Sequence, residues 1–435
     1  MNLATNLREL DEPIRIGMIG SGIFGSQLIH TIEATSGMET SVVAEIDEEK
    51  ATDTLIRAGV AESAIELVDD TSEINATFGT DRRAVTRNSD ALIDADVDIV
   101  VEATGNPNVA ALHGFKTLLS GTHLLNVSIE ADTVCGPLLA ALAEKNDVVY
   151  SLAAGDQPGK IATLAEWAES TGFEIVSAGI VKSGDPDPYG TPDDSIERHG
   201  YITSFGKNID PDPRMYNTFL DGTKLAVESV AAANALGFGI DTTGMHHPTV
   251  TTDEIPDTLR EESSGGVLGR GGVIDTVTAS DRNMTVFVVT KTESEQLQKY
   301  YTQRPNVITS DDGSHQLFYS PYHFAPETTR TIASVVLSNE PTGTPIGHHA
   351  DVVAAAKRDL KPGEEIDGSG GYTIYGVAED ASRANAKGYV PYELLEGAEV
   401  RNPIDRDQII TADDVSIDTD QPMYHLRELQ EQMNI

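Results

Sequence analysis

Two groups of residues have types and spacings that could do chemistry. The first is Gly20-Ser21-Gly22-Ile23-Phe24-Gly25, between the apolar run 14–19 and an amphipathic segment over 26–34. Strand, glycine turn and helix, in that order, are the setting of a dinucleotide-binding turn. Gly20 permits the tight turn, Gly22 lets backbone approach a pyrophosphate, and Gly25 lets the helix pack closely on the strand. The first helical amides, those of Ile23 and Phe24 among them, then face phosphate charge. The second group is Asp221, Lys224 and Glu228, which share one face if the segment is a helix. A lysine held by a carboxylate can give a proton to a carbonyl oxygen as hydride arrives, or take it in reverse. Asp221 would orient the ammonium, and Glu228 would bind a substrate hydroxyl. A solvated ion-pair stripe uses the same residues. Two features favour chemistry. Lysine precedes glutamate, the weaker order for a surface pair. And a chain so poor in lysine has kept this one.

The elements around these residues follow from pattern. A second strand near 40–45 ends in Glu45, about twenty residues after Gly25, where a carboxylate accepts hydrogen bonds from ribose hydroxyls. A surface carboxylate is the bland reading. Ile46 follows it, rather than an arginine for a 2′-phosphate, which favours NAD over NADP without settling the choice. The apolar run 98–103 suits a central parallel strand buried on both faces. Thr104 and Gly105 then stand at its carboxyl end, and Asn126 and Glu130 at the end of the next strand, where a nicotinamide would lie. Alternating strand and helix through residue 152 predicts a doubly wound parallel sheet. Residues 1–12 read as a polar arm, 50–90 as acidic helix with Arg82, Arg83 and Arg87 on a solvated face, and 216–236 as one long helix. The loop 183–194, with Lys182 at its mouth, is long enough to suggest function. Lys182, Arg198 and Lys207 are candidate binders of phosphate or carboxylate. The glycine-rich stretch 263–272 reads as a flexible connection. His246 and His247 are adjacent, a poor arrangement for ligating one ion, so no metal centre is predicted.

Length and composition set the frame. A chain of 435 residues implies two or three domains. Seventy acidic against 30 basic side chains give a net charge of −40, spread along the chain. That suits a solvated acidic surface adapted to high salt, where screening relieves self-repulsion. Nucleic acid and anionic membranes are poor partners for it. Cys135 is the only cysteine, which excludes an intrachain disulfide. No apolar run reaches membrane length, and a cytoplasmic protein is expected.

Taken together, Gly20–Gly25, Asn126–Asp132 with Gly136-Pro137, Gly155-Asp156-Gln157-Pro158-Gly159, Phe219–Lys224, Tyr322-His323 and the lysine-proline-glycine turn at 357–364 resemble a known family. It is that of the homoserine dehydrogenase-like oxidoreductases with a C-terminal SAF domain. The resemblance implies a Rossmann domain over 1–152, an α+β substrate and oligomerisation domain over 153–345, and a small β-rich SAF-like (β-clip) domain over 346–435. It implies an NAD(P)-dependent enzyme acting on a small hydroxylated or carbonyl substrate, as a homo-oligomer. Asp221 and Lys224 match the family's acid–lysine pair. Where glycine and lysine are expected after Ala178-Gly179, this chain has Ile180-Val181-Lys182, leaving Lys182 as the nearest substitute. A sugar, sugar acid, polyol or phosphate of one is a better expectation than homoserine. The alternatives are an NADPH-dependent reductoisomerase of the deoxyxylulose-phosphate type, with Glu130, Asp156 and Glu228 around a divalent cation, and a non-catalytic nucleotide sensor. The SAF-like segment is expected to serve packing or oligomer contacts rather than chemistry.

Overall fold

The computed structural model describes residues 2–198, 212–322, 325–433 and 435. The chain forms two compact units. Unit 1 comprises Met1–Gly159, His323–Thr344 and His425–Ile435; unit 2 comprises Lys160–Tyr322 and Pro345–Tyr424.

Unit 1 is built on seven strands: β1 (Ile14–Ile19), β2 (Met38–Ala44), β3 (Ile65–Leu67), β4 (Arg83–Thr86), β5 (Ile99–Glu102), β6 (His123–Asn126) and β7 (Tyr150–Leu152). Their order is β3-β4-β2-β1-β5-β6-β7, and every pair is parallel. The runs are apolar because helices cover both faces. Ile16, Met18, Val42, Val43, Val100 and Val101 are all fully buried. The strand order reverses at β1, with β2 on one side and β5 on the other. That switch point is where doubly wound sheets bind ligands, outside the strands' carboxyl ends.

Two expectations for this unit need correction. The supposed polar arm contains a helix, Leu3–Arg8, capped by Asn2, and it buries Leu7 in the core. The segment 50–90 is not one helix. It alternates the helix Glu48–Arg57, β3, the helix Thr71–Thr77, β4 and the helix Ser89–Ile93. Its arginines face carboxylates within the unit: Arg83 pairs with Glu33 and Glu39, each at 3.3 Å, Arg82 with Glu66 and Arg87 with Glu48. Arg83 sits on a strand and is mostly buried, so the solvated-face reading fails there.

Unit 2 holds a mixed sheet of β8 (Glu174–Lys182), β9 (Val273–Thr278), β10 (Thr285–Lys291), β11 (Ile308–Thr309) and β12 (His315–Pro321), in the order β11-β12-β10-β8-β9. Only β8 and β9 run parallel. Its core packs Val176, Val181, Val273, Phe287 and Leu317. Towards the C-terminus, Ala350–Ala356 pairs antiparallel with Ile374–Asp380, and Glu399–Val400 with Val415–Ser416. The expected architecture is therefore present: a Rossmann-like parallel sheet, a mixed α+β sheet and a small β-rich region. Among the described residues no helix is long and apolar enough to cross a membrane.

The helix expected over 216–236 is broken. Pro213–Asp221 and Thr223–Leu236 are separate helices, joined at Gly222 with φ +89°. A left-handed residue ends the first helix as a C′ glycine does, and the chain restarts at once.

Candidate functional site

In unit 1 the glycine turn closes the carboxyl ends of β1, β2 and β5. The Gly20 amide donates to the Ala44 carbonyl at 2.9 Å, and the Ala103 amide to the Ile19 carbonyl at 2.8 Å. Gly20 has φ +96°, and a Cβ there would stand 2.7 Å from the Ala103 oxygen. A Cβ at Gly25 would stand 2.4 Å from the Gly20 oxygen, while one at Gly22 would meet nothing within 4 Å. Two glycines are thus required by packing, and the third leaves open backbone. Gly22 also starts the helix Ile23–Glu33 with no side-chain cap on its first amides. This fits a pyrophosphate held by backbone at a helix start. Ile23 is exposed beside the turn, and Phe24 packs against the unit's core.

Glu45 follows β2 and clamps this turn. One carboxylate oxygen accepts from the Ser21 amide and hydroxyl, each at 2.8 Å, and from the Lys50 ammonium at 3.2 Å; the other accepts from the Ile46 amide. Burial works to raise its pKa, but the Ser21 groups and Lys50 outweigh it and hold the carboxyl below its ordinary value. Glu45 therefore stays ionised, and Lys50 brings a cation that the sequence reading had not placed there.

Thr104 is exposed at the end of β5, and its hydroxyl donates to Glu102 at 2.5 Å. Gly105, with φ +70°, donates its amide to the Ser128 hydroxyl at 3.1 Å. Glu130 lies in the first turn of the helix Ile129–Lys145, where its charge suits the dipole. Asn126 corrects the expectation. It is 3% exposed, and its amide is used on Ser128 and the Tyr150 hydroxyl. It shapes the turn from inside rather than presenting a group to a ligand.

The same internal network reaches Asp132, fully buried, which accepts from the Tyr150 hydroxyl at 2.7 Å. Burial pushes its pKa up to about 7, with the Tyr150 bond opposing. A folded-state pKa above the unfolded one means the group favours folding while protonated. That contribution is full below the ordinary carboxylate range and is lost as pH rises towards about 7. Asp132→Asn is expected to gain stability relative to the parent chain as pH rises from about 4 to about 8. Urea midpoints of both proteins across that range check this; a pH-independent difference would refute it.

Unit 2 brings the other predicted residues to the junction at Gly222. The Lys224 ammonium lies 3.3 Å from Glu228, whose side chain is 1% exposed against 20% for the lysine. Asp221 does not orient Lys224, as had been expected. Its carboxylate accepts from the Lys357 ammonium at 2.8 Å and from the Thr223 amide at 2.9 Å. The break at Gly222 rotates Asp221 off the helix that carries Lys224, so the shared face does not exist. Burial raises the Asp221 pKa, and Lys357 and Thr223 oppose it. Lys182, at the end of β8, donates from its ammonium to the Phe219 carbonyl. Burial lowers its pKa, and the Asp221 charge partly restores it. Two lysines thus converge on the C-terminal end of the helix Pro213–Asp221, the end that favours cations.

The sequence reading missed Lys357. Lys357 is, like Lys224, a lysine kept in a lysine-poor chain, and it opens the lysine-proline-glycine turn at 357–364. Arg198 pairs with Asp187 at 2.7 Å, and Tyr322 is 9% exposed. Lys207 and His323 lie outside the described residues. His246 and His247 have separate partners: Asp241 for the first, the Thr276 and Thr278 hydroxyls for the second. The glycine-rich connection is tied at Gly269, whose amide donates to Asp241 at 2.8 Å. Among the described residues no group of three or more His, Cys, Asp or Glu side chains could hold a metal ion.

Residues 155–326 match the family model of the oxidoreductase DRL catalytic domain, and residues 351–416 that of the SAF domain. No curated protein sequence matches the chain. Among solved structures it is similar to a scyllo-inositol dehydrogenase from Lactobacillus casei with bound NAD(H) and scyllo-inositol. The identity is 12%, with 77% of this chain and 92% of that one covered and a TM-score of 0.38. It is also similar to a 1-deoxy-D-xylulose 5-phosphate reductoisomerase from Zymomonas mobilis in complex with NADPH. There the identity is 11%, with 51% and 58% covered and a TM-score of 0.35.

Proposed function

We propose that the protein is an NAD(P)-dependent oxidoreductase acting on the CH–OH or carbonyl group of a sugar, sugar acid, polyol or phosphate of one. The observation that carries this reading is Lys224, paired with the buried Glu228 beside a glycine break, inside the segment that matches an oxidoreductase catalytic domain. A bound nicotinamide cofactor would accept or deliver the hydride. The chain's own residues do the rest. Gly20, Gly22 and Gly25 with the helix start hold the pyrophosphate. Glu45, kept ionised, accepts from ribose hydroxyls, and Lys50 beside it tolerates a 2′-phosphate, so both NAD and NADP are in play. Lys224 gives a proton to the substrate oxygen during reduction and takes it back during oxidation. Glu228 holds the ammonium in place for that transfer. Lys182, desolvated at the helix end, is the second cation available to an anionic substrate group.

Cofactor-linked stabilisation tests the binding half of the reading. A ligand at about 100 times its dissociation constant stabilises by about 2.7 kcal/mol. Thermal unfolding in high salt is expected to shift upward with NAD or NADP, in either redox state. No shift with any of the four nicotinamide nucleotides at millimolar concentration would overturn it.

A further inference from the structure

We propose that Lys357, within the segment that matches the SAF domain, is a positioning residue for Lys224, and that this segment fixes the helix junction from which the catalytic helix starts. The inference deepens the reading above and rests on it for the role of Lys224.

The geometry is directional. Lys357 is 5% exposed, and its ammonium donates to three acceptors: Asp221 at 2.8 Å, the Gly190 carbonyl at 2.8 Å and the Gly371 carbonyl at 2.7 Å. An ammonium has three protons, so the set is complete. Asp221 uses its other oxygen on the Thr223 amide, the first residue of the helix that carries Lys224. One buried pair therefore defines where that helix begins.

Neighbouring residues of the same segment grip the same junction. The Gly376 amide donates to the Thr223 hydroxyl at 2.8 Å. The Asn217 side-chain amide donates to the Gly370 and Gly190 carbonyls, at 2.9 and 3.0 Å. Arg214 meets Asp367 at 3.2 Å. Backbone approach is close enough to require glycine at 370, where a Cβ would stand 2.0 Å from the Arg214 oxygen; at Gly376 a Cβ would be tight, 3.0 Å from the Thr223 methyl. The segment grips both sides of the Gly222 break, where two helices would otherwise hinge.

Stability alone does not account for this pair. A buried ion pair can often be replaced by well-packed apolar residues of similar volume without loss of stability. What the replacement loses is direction: three fixed bonds at one nitrogen, which hold the Asp221 carboxylate facing the helix's first amide. The pair is thus better suited to setting a position than to holding the fold together.

The test uses the full chain, with Lys357→Met and the double variant Asp221→Asn with Lys357→Met. The double variant removes both buried charges and guards against a single variant that fails to fold. Amide exchange over 223–228 is expected to quicken about tenfold in both variants, with unit 1 unchanged. On a substrate that the parent chain turns over, kcat is expected to fall about 100-fold, the scale of a misplacement near 1 Å. Cofactor affinity should hold, and the double variant should recover stability without recovering kcat. A double variant with parent-like exchange over 223–228, or with parent-like kcat, would overturn the inference. Exchange needs no substrate, so a chain with no nicotinamide-dependent turnover would overturn the oxidoreductase reading alone.

Discussion

Lys224→Ala lowers kcat by about 10³-fold, within the range that a positioned general acid supplies, while cofactor affinity stays within about twofold. Lys224 is the residue of the Thr223–Leu236 helix that joins a partly exposed ammonium to a buried carboxylate, at 3.3 Å. On the proposed reading, removing it takes away the proton source, and it leaves Glu228 without that cation. Glu228→Gln should therefore fall less steeply, because the ammonium survives with weaker guidance. A small primary amine added to Lys224→Ala should restore part of the rate, since the space and the carboxylate remain. Steady-state kinetics with and without the amine, beside cofactor titration, check all three. An alanine variant with parent-like kcat would remove Lys224 from the mechanism.

Asp221→Ala destabilises the chain by about 3–5 kcal/mol, the cost of leaving a buried partner uncompensated. Lys357 would keep its two carbonyl acceptors but lose the only carboxylate that its ammonium contacts among the described residues. At roughly 2–4 °C per kcal/mol for a domain of this size, the midpoint should fall on the order of 10 °C. Asp221→Asn, which keeps the shape and one acceptor oxygen, should cost less. Urea unfolding followed by circular dichroism measures it. A loss below about 1 kcal/mol would mean that the pair is solvated, against the 5% and 1% exposures of the two residues.

The parallel sheet was legible because its signals are local. Glycines at 20, 22 and 25 after an apolar strand, Glu45 at the next strand's end and the apolar run before Thr104 each report on a few neighbouring residues, and the switch point follows from their order. The corrections share a different cause. Asp221 and Lys224 were paired because they stand three positions apart, one helical turn, and Gly222 between them cancelled that spacing. Its position after a helical stretch was the available signal, since glycine there is a common helix stop. Lys357 was hidden by distance along the chain: nothing near residue 357 announces a carboxylate at 221. Asn126 looked like a ligand group because its strand end points at the switch point, and only the buried Tyr150 and Ser128 around it reveal an internal role. Arg83 was read as solvated because its partners Glu33 and Glu39 lie on other elements. Periodicity finds elements, whereas long-range partners of buried charges require the fold.

On the proposed reading, this chain moves hydride between a nicotinamide cofactor and a hydroxylated carbon, with Lys224 handling the proton. The most direct measurement follows absorbance at 340 nm in high salt, with NAD⁺ and NADP⁺ against panels of polyols, sugars, sugar acids and their phosphates, for the parent chain and Lys224→Ala side by side. The reduced-cofactor band is expected to grow with at least one member of the panel and to be lost almost completely in the variant. Growth that persists undiminished in Lys224→Ala would contradict it, as would a parent chain that binds cofactor tightly yet reduces none of it with any member of the panel.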